Sequence, residues 1–225
     1  PSDFYGGDQA TDNSGTISYL QVRYTGRAAS ANQELQGLTL GGVGAGTNIS
    51  YVQIHNSGDD GVEIFGGTVN LNHLIITGAD DDSLDTDVGY KGAIQFVIGV
   101  QNTTGGDTLW EVDSDDDSGF DFTPRQDVKL ANFTFIQRKT GDKVIHLRGG
   151  PDAAILNGVL VGPGTCIDID QAETVQAANA ALDELGPPRI QSVVGSCATG
   201  DFDADADTFE ATAVNAAGNV NNDFN

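Results

Sequence analysis

Short runs in which apolar and polar residues alternate recur along this chain, each closed by glycine or a polar turn. They are Leu38-Thr39-Leu40-Gly41-Gly42, Val62-Glu63-Ile64-Phe65-Gly66-Gly67, Leu84-Asp85-Thr86-Asp87, Phe120-Asp121-Phe122-Thr123, Ile145-His146-Leu147-Arg148-Gly149-Gly150 and Ile167-Asp168-Ile169-Asp170. Marked by the second apolar slot (Leu40, Ile64, Thr86, Phe122, Leu147, Ile169), successive copies lie 24, 22, 36, 25 and 22 residues apart. A period near 23, with a loop inserted in the long step, is the spacing of a coil repeat. A second set of runs keeps the same beat: Ile17–Val22, Ile49–Ile54, Leu71–Ile76, Ile94–Ile98 and Val128–Ile136. Period-two alternation rich in Val, Ile, Phe and Tyr, bounded by Gly, Asn and Asp, predicts strands. Two strands per coil in constant order predict stacking rather than hairpins. The Leu/Asn ladder of leucine-rich repeats and the four-strand unit of propeller blades are both missing. The pattern therefore predicts an all-β fold, a single-stranded parallel β-helix of about six coils whose apolar side chains stack inward.

On this reading residues 1–225 form one domain. Residues 1–15 are polar and glycine-rich and are expected to finish a turn from further coils of a longer parent β-helix. Two interruptions, 26–36 and 101–118, the second carrying Trp110, are expected as loops that wall a binding face. The stretch 171–185 is rich in Ala, Glu and Leu and is stopped by Gly186-Pro187-Pro188, which predicts an inserted helix. Residues 198–225, with Asp201, Asp203, Asp205 and Asp207 at alternate positions, read as an acidic, loosely structured tail. The glycine and terminal Glu of an EF-hand loop are missing from it.

Charge narrows the partners. Ten Lys plus Arg against 33 Asp plus Glu leave a net charge of −23, which argues against nucleic acid and anionic lipid surfaces. It points to bound cations, a saline medium, or both. No segment reaches the ~18 apolar residues of a membrane span. Cys166 and Cys197 flank the last coil. A disulfide between them would close that end and imply an extracellular or periplasmic setting, the alternative being two unpaired core thiols.

Equivalent positions of neighbouring coils sit ~4.8 Å apart. With the apolar slots inward, the outward column reads Thr39, Glu63, Asp85, Asp121, His146, Asp168, and the next reads Gly41, Phe65, Asp87, Thr123, Arg148, Asp170. Stacked like charges repel, so this acidic strip needs a cation, a shared proton or Arg148 to offset it. Acidic turns precede the strands at Asp59-Asp60, at Asp80-Asp81-Asp82, and at Asp113 with Asp115-Asp116-Asp117. They are either hydrated turns or calcium sites drawing hard oxygen ligands from Asp59, Asp60, Asp81, Asp82 and Asp87. The same strip offers Glu63, Asp85 and Asp121 as paired carboxyls for glycoside hydrolysis, with His146 and Arg148 completing the candidate catalytic set. Two classes stay open: an extracellular, calcium-stabilised surface module that recognises a polysaccharide or a cell-surface partner, and a polysaccharide hydrolase or lyase. In the second set of strands Tyr19 and Tyr51 share a column, as a sugar platform or a cover for the core edge.

The runs from Asp12 to Tyr19, Gly37 to Gly44, Ser57-Gly58-Asp59-Asp60-Gly61 to Val69 and Asp80 to Asp87 resemble a family of secreted bacterial β-helix proteins, many of them surface lipoproteins of unknown function. The resemblance covers about residues 10–100. It implies a right-handed parallel β-helix, a longer parent protein and an outer-surface or secreted location, with no activity attached. Asp59-Asp60-Gly61-Val62-Glu63-Ile64-Phe65-Gly66-Gly67-Thr68 is also similar, more faintly, to the paired-Asp turn of polygalacturonase-type, pectin-lyase-like hydrolases. That family continues with Gly-His-Gly and Arg-x-Lys; here Ala79-Asp80-Asp81-Asp82 stands in the first place and no Arg-x-Lys occurs.

Overall fold

The alternating runs become strands stacked in parallel. The computed structural model describes residues 5–27, 34–114, 119–202, 209, 213 and 219–224. Its strands run, in chain order, β1 (Thr16–Arg23), β2 (Leu38–Gly41), β3 (Asn48–His55), β4 (Val62–Phe65), β5 (Asn70–Thr77), β6 (Leu84–Asp87), β7 (Ala93–Val100) and β8 (Trp110–Val112). They continue with β9 (Asp127–Ile136), β10 (Ile145–Leu147), β11 (Asp152–Gly162), β12 (Thr165–Ile169), β13 (Arg189–Cys197), β14 (Gly200–Phe202) and β15 (Asp223–Phe224). Odd-numbered strands form one sheet and even-numbered strands another, each in sequence order. Every coil thus adds one long and one short strand, which is the parallel β-helix the period predicts. Among the described residues no helix is long and apolar enough to cross a membrane.

In the short-strand sheet, Val62, Leu84, Trp110, Ile145 and Ile167 align in one buried column, and Ile64, Thr86, Val112, Leu147 and Ile169 in another. They share one core with Ile49, Leu71, Ile94, Leu130, Ile155 and Ile190 of the long strands. Each side chain packs on the equivalent one a rung away, so a coil is stable only with its neighbours. Thr86 is the polar exception in its column. Its hydroxyl accepts from Trp110 Nε1 at 3.2 Å and donates to the Glu111 carbonyl at 3.3 Å, which satisfies the buried group.

The fourth rung corrects the sequence reading. Trp110-Glu111-Val112 forms β8, while Phe120-Asp121-Phe122-Thr123 lies in the connection between β8 and β9. The insertion therefore follows the fourth short strand instead of preceding it. Trp110 is fully buried between Leu84 and Ile145 and walls no groove. The reason is energetic: an indole buries far more apolar area in that slot than a phenyl ring.

The expected helix over 171–185 is also different: it holds two short 3₁₀ turns, Ala172–Val175 and Ala180–Leu182, and an antiparallel bridge between Asn179 and Glu184. Its place is set by side-chain bonds instead of a helical face. Gln171 Oε1 accepts from the Gly149 amide at 2.7 Å, Thr174 Oγ1 from Gly150 at 3.1 Å, and Glu184 reaches Arg125. In the tail, Gly200–Phe202 pairs with β12 and Asp223–Phe224 with β13; Asp203, Asp205 and Asp207 lie outside the described residues.

Cys166 and Cys197 form a disulfide with Cα atoms 5.5 Å apart, tying β12 to the end of β13 across a sequence separation of 31. Loop-closure entropy puts such a link at roughly 3–4 kcal/mol. Urea unfolding of the Cys166→Ser/Cys197→Ser variant is expected to show a loss of that size, with unchanged circular dichroism before the transition.

Each long strand from β1 to β13 carries one left-handed residue at the same rung position: Tyr19, Tyr51, His73, Phe96, Asn132, Asn157 and Ser192, with φ between 53° and 58°. A single left-handed residue breaks the pleat and bends the strand, so the long sheet has two legs.

Candidate functional site

The outward column of the short-strand sheet reads Thr39, Glu63, Asp85, Glu111, His146, Asp168 in register. The turns entering β4 and β6 bring Asp59, Asp60, Asp81 and Asp82 alongside it. Gly61 lets these turns touch, because a Cβ there would lie 2.4 Å from the Ser83 carbonyl oxygen. Asp60 Oδ1 accepts from the Asp82 amide at 2.9 Å, and Asp82 Oδ1 accepts from the Thr108 amide and hydroxyl at 2.6 and 2.7 Å. One oxygen of each aspartate stitches turn to turn, which is ordinary turn chemistry; a second remains on each.

The carboxylates of the turns and the strip converge. Asp60, Glu63 and Asp85 each offer a carboxylate oxygen within 4.8 Å of the others, and so do Asp82, Asp85 and Glu111; Asp59, Asp60 and Asp81; and Asp81, Asp82 and Asp107. Glu63 and Asp85 are each only 8% exposed, and among the described residues Glu63 Oε2 and Asp85 Oδ1 have no hydrogen-bond partner. A groove of about 660 Å³ lies over the cluster, with Leu35 and Gln36 on one flank and Phe65 on another. Gln36 Nε2 donates to Asp59 Oδ2 at 3.3 Å.

Burial and mutual repulsion push these carboxyls far above their ordinary range. Burial, then the charges of Glu63 and Asp59, raises Asp60 to about 9. Burial, then Asp87 and Asp59, raises Glu63 to about 8. Burial, then Asp59, raises Asp81 to about 6. Asp82 and Asp85 are driven well up, again by burial first and neighbouring carboxylates second. Among the described residues no Lys, Arg or His makes an ion pair with Asp60, Glu63, Asp82 or Asp85.

The lower half of the strip supplies its own cations. His146 donates from Nδ1 to Glu111 Oε1 at 3.0 Å and from Nε2 to Asp170 Oδ2 at 2.9 Å. Lys143 Nζ lies 2.5 Å from Asp168 Oδ2, and Arg148 reaches Glu111 at 3.1 Å and Asp113 at 2.8 Å. Burial lowers the His146 pKa, but its bonds to Glu111 and Asp170 prevail and raise it. Burial raises Glu111, but His146 and Arg148 outweigh it and hold that carboxyl below its usual value. Among the described residues, four carboxylates face three cations here, whereas the upper half holds carboxylates alone.

Glu63, Asp85, His146 and Arg148 therefore stand on the strip as expected, and Asp59, Asp60, Asp81 and Asp82 gather beside it. Asp121 does not: it sits in the connection after β8, where its Oδ1 accepts from Arg125 at 3.2 Å and Gln176 at 2.7 Å. Asp87 ends β6 and joins none of the four oxygen clusters, although burial and Asp113 raise it to about 7. Glu111, Asp107 and Lys143 are the residues the sequence reading missed. The signal for Glu111 was its place between two apolar residues, Trp110 and Val112.

The fold and strip together define a pectate-lyase-type solenoid. The chain matches the family model described as a pectate-lyase like beta helix domain over residues 2–224, and it belongs to that family. No curated protein and no solved structure matches it.

Proposed function

We propose that the protein is an extracellular β-helix module that recognises a polysaccharide through its acidic strip, with calcium seated in the upper half. The observation that carries this is the pair of buried oxygens, Glu63 Oε2 and Asp85 Oδ1, which among the described residues have no hydrogen-bond partner and sit inside a carboxylate cluster with no protein counter-cation. Ca²⁺ takes six to eight hard oxygens at ~2.3–2.6 Å, and Asp60, Glu63, Asp82 and Asp85 are the side chains that would hold it. A bound cation in an open groove offers a coordination position to sugar hydroxyls or carboxylates. The disulfide agrees with an oxidising, extracellular setting.

A second reading, a polysaccharide hydrolase or lyase, draws on one contrast within the strip. Glu63 is held protonated to about 8, while Glu111, two rungs away, is held ionised. Carboxyls pushed apart in this way are suited to acid and base roles. Asp85 stands between them. The Asp85→Asn variant keeps the shape and removes one charge, so it is expected to lose the calcium-induced rise in melting temperature while melting no lower than wild type in chelator at pH 8. Polysaccharide binding should then fall by tenfold or more. Calorimetric titration with calcium and a reducing-end and unsaturated-product assay on pooled polysaccharides separate the two readings; an unchanged calcium response in this variant would remove the first.

A further inference from the structure

A groove of about 840 Å³ follows the bend of the long-strand sheet across seven strands, from β1 to β13. Six rung steps make it roughly 29 Å long. One wall begins as a ladder of stacked rings, Tyr19, Tyr51, His73 and Phe96, with successive centroids 4.8, 4.3 and 4.8 Å apart. The other wall is aliphatic: Ile75, Ile98, Val159 and Val194 are 42, 47, 39 and 44% exposed. Gln53, Asn132, Thr134, Asn157 and Ser192 set amides and hydroxyls among them.

Two observations give this surface a ligand chemistry. The bend needs a left-handed residue, which asparagine adopts readily and a bulky aromatic does not. Further along, the ladder continues as Asn132 and Asn157, bonded to each other at 2.6 Å, so the bend itself does not call for rings. Tyr51 and Phe96 nevertheless hold aromatic side chains there, 45 and 47% exposed, at a conformational cost that points to a role beyond the fold. Charge is the second observation. One residue in five of this chain is ionisable and its net charge is −23, yet among the described residues no Asp, Glu, Lys or Arg lines the groove. An ionic partner finds no counter-charge there, and a second copy would bring −23 against −23.

We propose that this groove binds a neutral polysaccharide lying along the solenoid axis. Its C–H faces would rest on the aliphatic wall and ring edges, and its hydroxyls would bond the tyrosine, amide and hydroxyl groups. A linear polymer of like units suits a site whose walls recur at every rung, and a mostly apolar lining with a few fixed polar groups is what small-ligand sites share. This site is on the other sheet from the acidic strip and does not depend on calcium.

The test is calorimetric titration with hexasaccharides of neutral β-1,4-glucan, β-1,3-glucan, β-1,4-xylan and β-1,4-mannan, run in chelator so that the acidic strip carries no cation. At least one is expected to bind wild type. The Tyr51→Asn/Phe96→Asn variant keeps a residue suited to the bend, so it should fold normally and bind at least tenfold more weakly. Should that variant fail to fold, Ile75→Thr/Ile98→Thr on the opposite wall, where Thr134 already stands, is expected to weaken binding in the same way. Wild type that binds none of the four sugars, or variants that bind as tightly as wild type, would overturn the proposal. So would a concentration-dependent dimer of wild type that the variants abolish, which would make the groove an interface between copies.

Discussion

In chelator at fixed ionic strength, the melting temperature is expected to fall continuously as pH rises from about 4 to about 9, and saturating calcium is expected to remove most of that fall. The sign follows from linkage. Asp60 and Glu63 titrate near 4 in the unfolded chain but only at about 9 and about 8 in the fold. A raised pKa contributes stability that is fully present below the unfolded value and is lost as pH climbs through the folded one. One such group amounts to several kcal/mol across the interval, on the order of 10 °C for a chain of this length. Calcium binds the ionised carboxylates, offsets their repulsion and flattens the curve. Asp152, raised to about 8 by burial and by its hydrogen bond with Glu184, adds a slope that calcium does not remove. Melting that is insensitive to pH in chelator, or a curve that calcium leaves unchanged, would count against the cation site.

The second large effect is expected at Arg125, which is 1% exposed and sits where the connection after β8 meets the segment before β13. Its Nη2 lies 2.5 Å from Glu184 Oε2 and donates to the Glu173 carbonyl at 2.6 Å; its Nη1 bonds Asp121 at 3.2 Å. The Asp152 carboxylate in turn accepts from the Leu185 amide, at 3.1 and 3.2 Å. One guanidinium therefore anchors two irregular segments that bury few apolar side chains of their own. Arg125→Ala strands the carboxyl of Glu184, and breaking a buried pair in this way costs about 3–5 kcal/mol, on the order of 10 °C in melting temperature. Arg125→Lys should recover little, since an ammonium cannot reproduce the fork of donors. Arg125→Met with Glu184→Gln should recover most of the loss by removing both charges. Denaturant unfolding of the four proteins checks this, and an Arg125→Ala variant as stable as wild type would show that the knot carries no load.

The β-helix was legible because its causes are local and repeated. Alternation sets which side chains face in, a coil of about 23 residues recurs, and an outward residue between two apolar ones lands on the same column each time. Glu63, Asp85 and His146 were found by that rule, and Arg148 by its place in the next outward column. Asp121 was not, because Trp110-Glu111-Val112 and Phe120-Asp121-Phe122 both satisfy it and lie ten residues apart. Only the packing of Trp110 between Leu84 and Ile145 separates them. The region 171–185 failed for a related reason: helix-forming composition is a weak preference, and Arg125 and Asp152 hold that stretch in another shape.

The sequence by itself determined the stack and most of the acidic column, since both follow from residue type and period; that Cys166 and Cys197 are joined, and that the bent face is lined without charge, the structure supplied. The tertiary structure decided which carboxylates meet. It places Asp60 over Asp82, leaves Glu63 Oε2 and Asp85 Oδ1 buried without partners among the described residues, and gives His146, Lys143 and Arg148 to the lower half. Those distinctions depend on burial and on distances of a few ångströms between coils, quantities that exist only once the chain has wound on itself.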